Sequence, residues 1–385
     1  MDETRAADQR VTQHQGFSRL LLEWTPLAGQ AFRLALSPTF TTREGEDRLQ
    51  TGVIDPLEGD QRLLTAVSGL EWQLRALPWA GAPGAAPSGH PDDQRLEAVA
   101  FVKHYLYRAD AQVADGTAFR DVSRHLERWG AGGGLRYALA RWVDVKASYE
   151  HTVRLPRPDE VFGDGMLVDA NLDLQPEEAH AANLGARFGL DGGAGALAAE
   201  ANGFLRDVDD LIVLLGVQSR RPYENVYHAR GLGLEGSAAW MAPGGWLRLE
   251  GSATWQDLRN VSDAGTFAST RGDRVPNRPW LFGSWGATLQ RQGLFTIRDS
   301  LEPFYQGRYV HSFFRAWESV GQAEHKQVVP SQCVHDAGVT YAARSGARRV
   351  SATLEVENLS DARVTDFLGV QRPGRTFAVK LGVEL

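Results

Sequence analysis

The chain has 385 residues, with 41 Lys or Arg against 48 Asp or Glu, a formal net charge of -7, and basic residues scattered along its length. That distribution excludes the basic groove of a nucleic-acid-binding protein, so no nucleic acid is expected as a partner. One cysteine, Cys333, excludes intramolecular disulfides and a cysteine-based metal site, and the longest strongly apolar run, 211–217, is far short of the roughly 20 residues a spanning helix needs.

Residues 1–10 are charged from position 2 and lack the apolar core of a signal peptide. The expectation is either a missing N-terminal portion or a cytoplasmic chain, with 1–15 a disordered segment and 16–385 one domain. Residues 16–25 and 31–41 alternate apolar and polar side chains and read as a hairpin turning at 26–29. A polar loop is expected over 42–60, then a strand over 63–77. The Pro- and Gly-rich stretch 80–94 reads as a long turn, because the strand pattern resumes at Leu96.

From there short and long connections alternate. Strands 135–139 and 143–153 meet across 140–142 and are followed by a long charged island, 154–177. Strands 178–190 and 196–205 turn at 191–193, the polar segment 218–224 precedes strand 225–240, and the turn 243–245 leads into 246–258. A long polar segment, 259–278, is followed by strands 280–290 and 294–305, a long loop to 332, strands 333–343 and 349–358, and a last long loop, 359–373. In the terminal stretch Phe377, Val379, Leu381, Val383 and Leu385 share one face, and Thr376, Ala378, Lys380, Gly382 and Glu384 the other.

Tight turns on one rim and long loops on the other are the signature of an antiparallel transmembrane barrel, whose inward polar residues dilute its hydropathy. The expected fold is therefore all-β, a transmembrane antiparallel β-barrel with roughly 14–16 strands present. An odd count near fifteen cannot close antiparallel, so the barrel is expected to be incomplete. A soluble all-β binding protein is the alternative for the same alternation.

The residues Arg154-Leu-Pro-Arg-Pro-Asp-Glu-Val-Phe-Gly163 and Asn171-Leu-Asp-Leu-Gln-Pro-Glu177 resemble the barrel of TonB-dependent outer-membrane receptors. Asn225 with 231–235, the stretch 274–279 around Pro276, and Glu357-Asn-Leu-Ser-Asp361 with Pro373-Gly-Arg-Thr-Phe377 resemble later motifs of that family in the same order. Residues 1–153 match in strand pattern only. The resemblance implies a barrel of about 22 strands around a plugged lumen, of which this chain looks like the C-terminal two thirds. It also implies a bacterial outer-membrane location, lipid around the wall, and uptake of a scarce nutrient such as a ferric siderophore or cobalamin. A TonB-type energy-coupling system would act only on a full-length form. A TonB-box-like leader and a plug are not found, and Leu385 stands where the family ends on an aromatic residue.

The motif residues Pro156, Gly163, Asn171, Pro176, Glu177, Asn225, Pro276, Asn358, Asp361, Pro373, Gly374, Arg375 and Phe377 are expected to be structural. Pro156, Pro158 and Pro176 mark where ladders stop, since proline cannot donate to them. Candidate ligand-binding residues lie in the long loops: Arg154, Asp159, Glu160, Phe162 and Tyr223, with Tyr305, Tyr309 and Trp317 beside Phe313 and Phe314 as a stacking surface. The plainer reading of the charged island is a solvated loop with local ion pairs, and of the aromatics an interfacial belt or a loop core. No G-x-S-x-G, H-E-x-x-H or Walker motif occurs, so no catalytic residue, metal or cofactor is expected. A plugless pore or a structural surface barrel remains the competing function.

Overall fold

The computed structural model describes residues 9–47, 59–76, 96–115, 118–163, 168–214, 221–320, 328–345, 348–365 and 370–384. Strands β1 (Gln9–Phe17) and β2 (Leu20–Trp24) both pair with β3 (Gln30–Asp47), so they form one strand interrupted at residues 18 and 19. Then come β4 (Gly59–Ala76), β5 (Leu96–Asp115), β6 (Ala118–Ala140) and β7 (Val143–Arg154), followed by helix α1 (Pro158–Phe162) and the short β8 (Val168–Asp169). The wall resumes with β9 (Glu177–Gly192), β10 (Gly195–Leu214), β11 (Arg221–Met241), β12 (Leu247–Asn260) and β13 (Leu281–Leu289), which the two-residue β14 (Arg291–Gln292) extends. After β15 (Asp299–Val310), the short β16 (Phe313–Phe314) and β17 (Val328–Val329) pair with each other, and β18 (Gln332–Ser345), β19 (Arg348–Glu357) and β20 (Thr376–Glu384) complete the sheet.

Among the described residues each long strand pairs antiparallel with the next, giving fifteen in one wall when β1 and β2 are taken together. Among the described residues β20 pairs only with β19, and β1 and β2 only with β3, so the wall does not close on itself. The all-β antiparallel architecture agrees with the sequence expectation.

The period-two pattern sorts the side chains onto two unlike faces. In the last hairpin Val350, Ala352, Leu354 and Val356 stand opposite Val383, Leu381, Val379 and Phe377, and these four residues of β20 are between 64% and 80% exposed. On the other face Lys380 Nζ donates to Glu355 Oε2 at 2.6 Å, and the Thr340 and Thr353 hydroxyls meet at 2.9 Å. Farther along that polar face Arg136 bonds Asp144 at 2.7 Å and Lys103 reaches Glu150 at 2.8 Å. This face is the concave one, with a groove of about 360 Å³ lined by Gln73, Glu97, Arg136, Lys146, Asn183 and Glu235. A soluble sheet would bury the apolar face and wet the polar one; this wall does the reverse.

At one rim the connections are short, as in the turn where Gln30 N donates to Leu27 O. The long connection 77–95 is the exception at this rim, where it leaves and returns because Ala76 pairs with Leu96; the stretch itself lies outside the described residues. Beside β14, Asp299 accepts from the backbone N–H of Leu294, Phe295 and Thr296 at 2.7–2.8 Å and from the Tyr341 hydroxyl at 3.1 Å. Burial works against its charge, but these backbone bonds prevail and hold its carboxyl below the usual range. The opposite rim carries the long connections, with one exception: β5 and β6 pair up to Asp115 and Ala118 and leave only residues 116 and 117 between them.

Two expectations need correcting, for one reason. Residues 9–15, expected to be disordered, belong to β1, and the polar loop expected over 42–60 is shortened because β3 runs to Asp47 and β4 starts at Gly59. These strands continue well past the apolar band. There both faces are polar, so the side-chain alternation that marks a strand disappears while the backbone ladder, Gln9↔Asp47 to Phe17↔Thr39, goes on. Leu385 lies outside the described residues.

Candidate functional site at the long-loop rim

The connection after β7 folds onto the polar face and is fixed there piece by piece. Pro156 is buried and Pro158 opens α1, where its missing N–H costs nothing. Glu160 Oε2 accepts the backbone N–H of Arg157 at 2.8 Å and closes the first turn. The helix ends at Gly163, whose φ of 70° and ψ of -176° suit glycine; a Cβ there would lie 2.3 Å from the Val168 carbonyl oxygen. The apolar side of α1, Val161 and Phe162, is buried against Leu63, Tyr107, Ala109 and Ala111 of β4 and β5.

Arg154, at the end of β7, joins this connection to the wall. Its Nη1 donates to both Glu160 oxygens at 3.0 Å, and its Nη2 to Glu177 Oε1 at 2.8 Å. Burial opposes the charge, but the Glu177 bond and the negative charges of Glu177 and Glu160 outweigh it and strengthen the guanidinium's hold on its proton. Glu177 Oε1 also accepts the Ile212 N–H at 2.8 Å, which brings β10 into the cluster. Asn171 donates to the Tyr223 carbonyl at 2.7 Å and accepts from Asp173 N at 3.0 Å. Asn225 accepts from Gln175 N at 3.0 Å and donates to the Gln175 and Asp210 carbonyls at 3.1 and 2.6 Å. Pro176 is buried between these asparagine clamps. Burial, with Asp159 and Glu160 nearby, pushes the Tyr223 phenol up.

A second packed layer lies over β10–β12. Val208, Leu211, Val213, Val226 and Ala229 form a buried cluster with Val275 and Trp317 from two long connections. Phe267 and Trp317 meet with ring centroids 5.5 Å apart. Asp257 accepts from Arg259 at 2.7 Å and from Arg274 at 2.9 Å, Arg274 also reaches Glu318, and Asp273 takes the Ser319 hydroxyl at 2.6 Å. Pro276 is buried beside Val275. The next connection is tied by Asn358, which exchanges bonds with Ala362, and by Asp361 Oδ1, which accepts Arg375 N at 2.8 Å; a Cβ on Gly374 would sit 2.5 Å from that oxygen.

The structure thus unites Arg154, Glu160, Phe162, Asn171, Glu177, Tyr223 and Asn225, and leaves Asp159 exposed at their edge. Trp317 belongs to the other layer. Tyr305 and Tyr309 are not loop residues: β15 runs to Val310, and both stand on the apolar face, Tyr305 bonding His335 Nδ1 at 2.6 Å. There Cys333 Sγ lies 3.4 Å from His335 Nε2. Phe377 is exposed on the same face, and Pro373 is exposed before it. Sequence reasoning missed Arg43, which donates to the Gly163 carbonyl, and Arg124, which donates to the Leu172 carbonyl at 3.0 Å and Asp173 Oδ1 at 2.9 Å. Only pairing register could have found them. Among the described residues no group of three His, Cys, Asp or Glu is placed to hold a metal ion.

The fold resembles solved structures at low identity. These include the copper transporter OprC (TM-score 0.70, 16% identity, 97% of this chain and 57% of that one) and the ferric preacinetobactin receptor BauA from Acinetobacter baumannii (0.61, 16%, 97% and 54%). The ferric citrate transporter FecA in its unliganded form is another (0.62, 15%, 98% and 55%). The chain spans a little over half the length of each of these three. No curated protein matches it in sequence. The family described as TonB dependent receptor-like, beta-barrel matches residues 101–359, which is more than half of the chain. The chain therefore belongs to the TonB-dependent receptor β-barrel family, whose members are bacterial outer-membrane proteins.

Proposed function

We propose that the chain is the barrel part of an outer-membrane transporter that takes up a scarce nutrient as a small metal chelate, such as a ferric siderophore, or as cobalamin. Its exposed apolar face contacts lipid, and its long-loop rim receives the ligand. In the full-length form a TonB-type system supplies the energy. The observation that carries this reading is the family match over 101–359 joined to a rim whose long connections pack inward on the polar wall. Uptake is tested in cells lacking the gene, against a panel of ferric siderophores, copper chelates and cobalamin, with and without a protonophore. Loss of energised uptake of one compound is the expected result; an unchanged panel would overturn the reading.

The plugless pore or structural barrel has one observation in its favour, the polar groove of about 360 Å³ on the concave wall. A stable open conductance in planar bilayers from this chain alone would support it over transport.

A further inference from the structure

Three arginines of the wall each hold an acceptor of the connection 155–176: Arg43 the Gly163 carbonyl, Arg124 the Leu172 carbonyl and the Asp173 carboxylate, and Arg154 the Glu160 carboxylate. They come from β3, β6 and β7, so one connection occupies cationic positions spread across five adjacent strands. Glu160 is 6% exposed while its partner Arg154 is a third exposed, and Asp173 projects into solvent.

The same connection covers the Tyr107 hydroxyl and leaves it unsatisfied, and a second orphaned polar atom lies beside Arg43. Tyr107 is wholly buried in the cluster with Val161 and Phe162, and its hydroxyl has no hydrogen-bond partner; Gln61, 4% exposed, has an unpartnered Oε1. Gln61 is the direct cross-strand neighbour of Arg43, and Ala109, two residues from Tyr107, is that of Arg124. Orphaned buried polar groups disfavour the arrangement that buries them. Displacing the connection would release the Tyr107 hydroxyl to water or to a ligand. Arg154 would keep Glu177, which belongs to β9, and lose only the carboxylate supplied by the connection.

We propose that Arg43, Arg124 and Arg154 form an anion-binding site which the chain's own connection fills with the Glu160 and Asp173 carboxylates, so that a polycarboxylate ligand binds by displacing it. This rests on the chelate-uptake reading and narrows it to anionic chelates. Planar guanidinium forks suit carboxylates, and a multivalent anion replaces two internal carboxylates with one molecule.

The test is titration of the 385-residue chain in detergent micelles with citrate, read by calorimetry, with amide hydrogen exchange as a second measurement. Glu160→Gln weakens the internal occupant and is expected to tighten citrate binding at least fivefold. Arg124→Gln is expected to weaken it at least fivefold, and Arg136→Gln, elsewhere on the wall, to leave it unchanged. Saturating citrate is expected to speed exchange at Val161 N and Asn171 N, which bond Arg157 O and Val161 O at 3.0 and 2.8 Å. Citrate binding that is indifferent to Arg124→Gln, slower exchange at these amides, or no binding even to Glu160→Gln would each overturn the inference. Energised uptake of an uncharged or cationic compound by cells, without citrate binding, would sink this inference and leave the transport reading standing.

Discussion

The long-loop rim and the wall below it are built on one continuous ladder, yet they bury opposite things. At the rim Glu160, Asn260, Val226 and Trp317 are all buried by the protein's own connections. In the wall, Leu381 and Val379 are exposed and the charged groups pair across the concave face. The backbone hydrogen bonds are the same in both. What differs is the surroundings for which the side chains are selected, so sheet geometry alone does not reveal the solvent, whereas the partitioning of side chains does.

The sharpest way to break this comparison is to place a charge on the wall's apolar face. Leu381→Arg is expected to cost about 2–4 kcal/mol if that face meets lipid, whereas Lys380→Gln on the polar face costs under about 1 kcal/mol. Folding yield into bilayers measures both, and equal tolerance would remove the lipid assignment. Next in size is Arg154→Met at the rim, which strands Glu160 and Glu177. Removing one partner of a buried cluster costs about 3 kcal/mol, taken at the low end because Arg154 is a third exposed; urea titration should show the loss. Gly163→Ala forces a side chain into a backbone region reserved for glycine, at about 1–3 kcal/mol. Its effect should appear as faster hydrogen exchange confined to α1.

The smallest effect concerns the short-turn rim, where Asp299 repeats the rim's rule of a buried, fully bonded carboxylate. Its folded carboxyl lies below the ordinary value, so its contribution is present above about pH 4 and is lost as pH falls through the folded value. Asp299→Asn should flatten the acid limb of a thermal-melting profile while shifting it little near neutrality. An unchanged limb would mean that the three backbone bonds to Asp299 do not form.

Much of the wall was legible in the sequence because strict alternation survives wherever one face must be apolar. The hairpin at 26–29, the restart at Leu96 and the terminal strand all follow from that. The polar ends of strands were not legible, since water on both faces removes the pattern; β1 and the far end of β3 were missed for this reason, and Tyr305 and Tyr309 were assigned to a loop when β15 carries them. At the rim, Arg154, Glu160, Asn171, Glu177 and Asn225 could be read as a motif because local chain geometry requires them. Arg43 and Arg124 could not, because they meet the connection only through a register set far away in sequence.

Cys333 is the chain's only thiol, and it stands on the apolar face beside His335. The protein therefore carries its own reporter of immersion, with no residue to be added or removed. Alkylation by a water-soluble maleimide and by a lipid-soluble one would compete for a single position, and the ratio of their rates would read how deep this part of the wall sits.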